Sequence, residues 1–261
     1  MIPSKYIIIC ADDFGQNESI NQAILELVEK KRLNAVSCMV NTEAWEKDAP
    51  VLAKKEVMAG LHLNFTHGKN FPSLLKLIYQ CYAHRLSKTW LEQQVHSQIL
   101  AFRQYYGTWP EFIDGHQHVH QLPMIRDALL KVVSSLGIDP WFRTTYTYAN
   151  INLSRATSLK MWALLFLGGN TWIRKLKNLQ IKSPSDFAGD YSFKTKKPYR
   201  ELFTAAAASL ASGGLLMCHP GLESSDITDS ICHNRGKEYA YLSSKEFLAD
   251  LKSLNIELFP H

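Results

Sequence analysis

The run Tyr6-Ile7-Ile8-Ile9-Cys10-Ala11-Asp12-Asp13-Phe14-Gly15 is apolar and β-branched until it meets two adjacent carboxylates. An unbroken apolar segment without alternation reads as a strand buried on both faces, and such strands belong to parallel sheets covered by helices. Residues 17–32 supply the first helix, because Ile20, Ala23, Ile24, Leu27 and Val28 recur with a period near 3.6. The two aspartates then fall at the carboxyl end of a strand, where parallel α/β folds place their chemistry.

The same unit repeats along the chain. Strands are expected at Ala35–Val40, Val57–Leu63, Phe112–Val119, Trp141–Thr145, Leu215–Cys218 and Glu257–Phe259. Helices are expected at Glu43–Lys54, 88–106, 123–136, 198–212 and 243–254, the fourth stopped by Gly213-Gly214. Alternating strands and helices predict an α/β fold with a parallel sheet, and polar clusters at successive strand ends predict a (β/α) TIM-like barrel. A doubly wound open sheet competes, but no glycine-rich phosphate loop follows the first strand. A length of 261 residues suits one large domain. Residues 146–197 are irregular and predict an inserted helical lid.

Hydrophobic residues make up 46% and charged residues 20%, a globular balance. The 29 basic and 24 acidic side chains leave a formal charge of +5, too weak by itself to predict a nucleic-acid partner. The five cysteines (Cys10, Cys38, Cys81, Cys218, Cys232) are odd in number and never at CxxC spacing, which argues against a disulfide framework or a zinc knot. The apolar run ahead of Asp12, Tyr6 to Cys10, is only five residues long, too short for a signal-peptide core. A cytoplasmic location is therefore expected, and the sequence leaves a homodimer open.

Four clusters carry chemistry. In Ala11-Asp12-Asp13-Phe14-Gly15, two neighbouring carboxylates repel unless a positive charge is near, and a divalent cation would supply it; a capped turn is the plainer explanation. His62, in Gly60-Leu61-His62-Leu63-Asn64, lies in an apolar strand as either a hydrogen-bonded core residue or a ligand. In Ile113-Asp114-Gly115-His116-Gln117-His118-Val119-His120, three imidazoles would share one face if the strand continues, a costly core but a good metal site. Asp114 could then accept a hydrogen bond from a ligand histidine. His219, in Met217-Cys218-His219-Pro220-Gly221, is held in a stiff turn and is a general-acid candidate.

Together and in this order, Ala-Asp-Asp-Phe-Gly at 11–15, Gly-Leu-His-Leu at 60–63, Ile-Asp-Gly-His-Gln-His-Val-His at 113–120 and Cys-His-Pro-Gly at 218–221 resemble the YdjC-like carbohydrate deacetylases. That family includes chitooligosaccharide deacetylases and HpnK-type proteins. The resemblance implies a distorted (β/α) barrel and one divalent metal ion, Mg2+ or Zn2+, held by Asp13, His62 and His116. It also implies Asp12 as general base, His219 as general acid and an N-acetylated sugar or glycolipid as substrate. Gln117 stands where relatives often keep histidine, so His118 competes with His116 as the outer ligand. Arg143 falls near an arginine of the family and would orient the base or bind substrate.

Residues 155–182 mix Met161–Leu167, Trp172 and Ile173 with Arg155, Lys160, Arg174, Lys175, Lys177 and Lys182. This composition fits either a lid packed on the barrel or an interfacial segment touching the inner face of a membrane. The apolar run is far short of the about 20 residues a spanning helix needs.

Overall fold

The computed structural model describes residues 4–145, 168–223 and 229–258. Elements follow in the order β1 (Lys5–Phe14), α1 (Glu18–Glu29), β2 (Ala35–Cys38), α2 (Glu43–Leu52), β3 (Met58–Leu63), α3 (Leu74–Tyr82), α4 (Lys88–Tyr106), β4 (Phe112–Gly115), a 3₁₀ turn (His116–Gln121), α5 (Ile125–Leu136) and β5 (Trp141–Phe142). They continue with α6 (Asn170–Asn178), β6 (Phe187–Ala188), α7 (Tyr199–Ser209), β7 (Gly214–Cys218), α8 (Cys232–Ser243), α9 (Lys245–Ser253) and β8 (Ile256–Leu258). Side-chain oxygens of Asn17 and Thr42 cap α1 and α2, accepting from the N–H groups of Ile20 and Trp45.

Every strand pair is parallel, and the order is β5-β4-β3-β2-β1-β7-β6, with β8 beside the start of β1. The sheet curls into an incomplete barrel. Its open edges are bridged by residues 182–188. Phe142 N–H donates to the Lys182 carbonyl at 3.1 Å on one side, and Phe187 and Ala188 pair with β7 on the other. Part of the expected lid is thus a stave of the barrel. The remainder of that stretch includes 146–167, which lies outside the described residues.

Alternation along each strand sorts the core into two layers. Ile7, Ile9 and Ala11 join the large cluster shared with the helices. Ile8, Cys10, Ala35, Met58, Phe112, Phe187, Leu215 and Met217 form a separate inner cluster, with Trp141 against it. All seven strands from β1 to β7 contribute, so the barrel floor is a packed plug. Gly60 makes room in it, because a Cβ there would lie 2.3 Å from the Phe112 ring. Two residues further along the inward-facing series stand Asp12, Ser37, His62, Asp114, Arg143 and His219. Strand parity alone therefore lifts these polar groups onto one layer above the plug.

Candidate metal centre and active site

Asp13 breaks this parity. Its backbone is left-handed, with φ 71°, and the pairing of β1 with β2 shifts register between Ala11 and Phe14. The bulge lets neighbouring carboxylates of Asp12 and Asp13 line the same cleft, a volume of about 420 Å3 that His62, His116, His118 and His219 also border. A non-glycine residue held at positive φ costs energy that the surrounding structure must supply.

Asp13 Oδ1 lies 3.3 Å from His62 Nε2 and 3.0 Å from His116 Nδ1. One donor atom from each of the three residues falls within 4.8 Å of the others. On the far side of His62, Nδ1 is 2.6 Å from Asp114 Oδ1, and Ser37 Oγ donates to the same oxygen at 2.5 Å. An ionised Asp114 takes the Nδ1 proton as a hydrogen bond, so that Nε2, facing the cleft, is the nitrogen that would give up its proton and offer a lone pair to a metal ion.

The expected strand through Val119 ends at Gly115 instead. A tight reversal follows, with Gln117 and His118 at φ 53° and 60°. Gly115 permits it, since a Cβ there would sit 2.9 Å from the His120 nitrogen. The three histidines consequently do not share a face. His116 turns to Asp13, and the His118 ring meets Phe187 edge-on at 5.8 Å. His120 is fully buried and donates from Nε2 to the Arg143 carbonyl at 3.0 Å. Geometry places His116, not His118, beside Asp13 and His62.

Arg143 is wholly buried and grips Asp12 with both ends of its guanidinium, Nη1 to Oδ2 at 2.6 Å and Nη2 to Oδ1 at 2.7 Å. Nη2 also lies 2.5 Å from Asp114 Oδ2, so one cation ties both carboxylates together.

Residues 6–253 match the model of the YdjC-like protein family. The chain belongs to that family. Among relatives, the YdjC-like chain is 28% identical over 152 residues to a carbohydrate deacetylase of Danio rerio, covering 52% of the chain and 49% of the relative. It thus spans about half the length of that curated relative. A chitooligosaccharide deacetylase of Serratia marcescens is 23% identical over 258 residues, covering 92% and 91%. A crystal structure from Enterococcus faecalis, described as a cellobiose-phosphate cleavage protein, superposes with a TM-score of 0.69 at 19% identity over 98% and 97% of the two chains. That likeness shows the fold.

Helix α8 completes the YdjC-like site and was not legible beforehand. Arg235 donates from Nη2 to Asp13 Oδ2 at 2.7 Å and from Nε to Asp229 Oδ2 at 2.6 Å. Glu238, fully buried, accepts from His219 N–H at 2.6 Å and from the Tyr191 hydroxyl at 2.5 Å. The buried face of α8 is Arg235, Glu238, Tyr241 and Leu242. Its helical spacing is carried largely by polar residues, so a search for apolar periodicity passes over it.

These contacts set the protonation states. Burial opposes ionisation of Asp13, but Arg235, His116 and His62 outweigh it and hold the carboxyl well below the usual range. Burial also opposes charge on His62, yet Asp114, Asp12 and Asp13 raise it to about 10 in the metal-free protein. For His219 burial wins over Asp13 and Asp12, and its pKa drops to about 4. Burial lifts Glu238 to about 7 in spite of its donors.

In the described part of the 155–182 stretch, Trp172 is fully buried on α6 and donates from Nε1 to the Arg143 carbonyl at 3.0 Å. This aromatic packs on the barrel, against the interfacial alternative at that position. Met161–Leu167 lie outside the described residues. No helix among the described residues is long and apolar enough to cross a membrane.

Proposed function

We propose that this YdjC-like chain removes the acetyl group from the nitrogen of an amino sugar, with one divalent metal ion held by Asp13, His62 and His116. The observation that carries the proposal is the gathering of a metal-type donor set with two further titratable groups, Asp12 and His219, on one cleft. A binding protein needs neither a base nor an acid beside such a donor set. The names of the Danio rerio and Serratia marcescens relatives support the same substrate class.

The donors fit an ion. They comprise one carboxylate oxygen and two imidazole nitrogens, with Asp114 orienting His62 from behind. Two nitrogens and one oxygen suit zinc better than magnesium, which prefers oxygen. The ion, when bound, supplies Lewis-acid polarisation of the amide carbonyl and acidifies water. Asp12, fixed by the Arg143 fork, takes a proton from the attacking water. His219 takes up a proton from solvent and gives it to the departing nitrogen as the C–N bond breaks, while the proton on Asp12 returns to solvent after acetate leaves. Burial keeps this imidazole neutral at rest, and negative charge developing on the reacting carbonyl raises its proton affinity.

Acetate release from a panel of N-acetylated sugars and glycolipids, after chelation and with zinc or magnesium returned, tests the proposal. Metal-dependent acetate release supports it. Phosphate release from sugar phosphates without acetate release would replace it with a phosphoesterase on the same barrel.

A further inference from the structure

His62 and His219 are held in different ways. His62 is oriented through its ring by Asp114. The buried Nδ1 of His219 has no hydrogen-bond partner among the described residues, so none of them orients the ring through that nitrogen. Its placement comes through the backbone. Glu238 Oε2 accepts the His219 N–H at 2.6 Å, and Gly221 N–H donates to the Arg235 carbonyl at 3.3 Å, so α8 holds the strand-end turn at two points. Glu238 Oε1 meanwhile accepts from the Tyr191 hydroxyl, and Tyr199 is a further donor to this carboxylate. Two residues beyond Tyr191, the Phe193 ring stands edge-on to His219 at 5.8 Å, and Asn234 Nδ2 on α8 donates to the Phe193 carbonyl at 3.0 Å.

A fully buried carboxylate is costly, and burial lifts this one to about 7. A neutral side chain of similar shape would fill the space at less cost. What the carboxylate adds is an acceptor on each oxygen, one for the turn that carries His219 and one for the segment whose Phe193 ring abuts it.

We propose that Glu238 is a positioning residue for His219, setting the imidazole's place in the cleft through the His219 N–H and the Tyr191–Phe193 segment. The inference rests on His219 acting as the general acid.

Glu238→Ala removes the acceptor, whereas Glu238→Gln keeps an oxygen for the His219 N–H. Turnover of an N-acetylated amino sugar is expected to fall about 10-fold or more in Glu238→Ala, part of the roughly 10²–10⁴-fold that a well-placed acid supplies, and to recover to within a few-fold of wild type in Glu238→Gln. The loss should appear in kcat rather than KM. It should shrink on 4-nitrophenyl acetate, whose leaving group needs no proton. Zinc affinity by calorimetry should stay within a few-fold of wild type, showing that the barrel is intact. In a His219→Ala background, adding Glu238→Ala should cost nothing further.

An equal loss on amide and aryl ester, or a full additional loss in the His219→Ala background, would overturn the proposal. So would wild-type turnover in Glu238→Ala. Should Glu238→Ala fail to fold, Glu238→Leu fills the space without an acceptor and takes its place, and failure of both to fold would mark Glu238 as structural and end the proposal. His219→Ala alone separates the two ideas. If it keeps amide turnover, the acid role falls. If it loses turnover while Glu238→Ala does not, only the positioning role falls.

Discussion

His62 and Asp114 stand opposite each other in the register of parallel strands β3 and β4 and are joined by a 2.6 Å contact from Nδ1 to Oδ1. Neither residue needs a loop to find the other, because strand pairing fixes the contact. Asp114→Asn preserves the shape but removes the charge that holds the Nδ1 proton. Zinc affinity is expected to fall about 10- to 100-fold, the usual effect of losing such a partner. Calorimetry on the apo protein measures it, and unchanged affinity would remove Asp114 from the support of His62.

Arg143→Lys keeps the positive charge but not the fork. Lysine cannot hold both oxygens of Asp12 and also reach Asp114, as the guanidinium does. Turnover is expected to drop about 10²-fold, as for a displaced base, with zinc still bound. Steady-state acetate release on the zinc-loaded variant measures this. A near-normal rate would mean that the orientation of Asp12 does not depend on two-point contact.

Gly60→Ala tests the barrel plug. The added Cβ would lie 2.3–2.4 Å from three atoms of the Phe112 ring. That ring cannot withdraw freely, because it stacks on Trp141 with centroids 4.3 Å apart. Overpacking of this kind costs about 1–3 kcal/mol. Urea unfolding should show the loss as a lower midpoint at unchanged slope, and a midpoint equal to wild type would show that the plug has slack.

Strands with an apolar run ending in a polar cluster were legible in the sequence, and so was the gathering of Asp12, His62, Asp114, Arg143 and His219. Each stands at or just beyond a strand end, and parity carries it inward. The fate of His116, His118 and His120 was not legible. Extending β4 through them follows from alternation, but Gly115 permits a reversal that only the close approach of His120 reveals. Residues 187–188 were missed as a strand because two residues hold too little periodicity to register. Arg235 and Glu238 were missed because they sit on a helix whose inward face is polar. A charged residue turned inward looks, in sequence, like one turned to solvent.

His120 gives a pH test away from the proposed metal ligands. Burial lowers its pKa from 6.5 to about 4, although Asp114 and the Arg143 carbonyl favour the charged form. The folded protein therefore binds this proton less readily than the unfolded chain. The stability contributed by neutral His120 is fully present above pH 6.5 and is lost as pH falls toward 4. The loss is about 3 kcal/mol if the whole shift is expressed, at about 1.4 kcal/mol per unit. Other buried groups titrate in acid too, His219 among them, so the informative quantity is a difference. His120→Gln keeps an N–H in reach of the Arg143 carbonyl but does not titrate. The stability of His120→Gln minus that of wild type should therefore rise steadily as pH drops from 6.5 to 4, and should be constant above pH 7. Urea midpoints across this range measure it. A difference that does not change with pH would show that His120 is not held neutral in the folded protein.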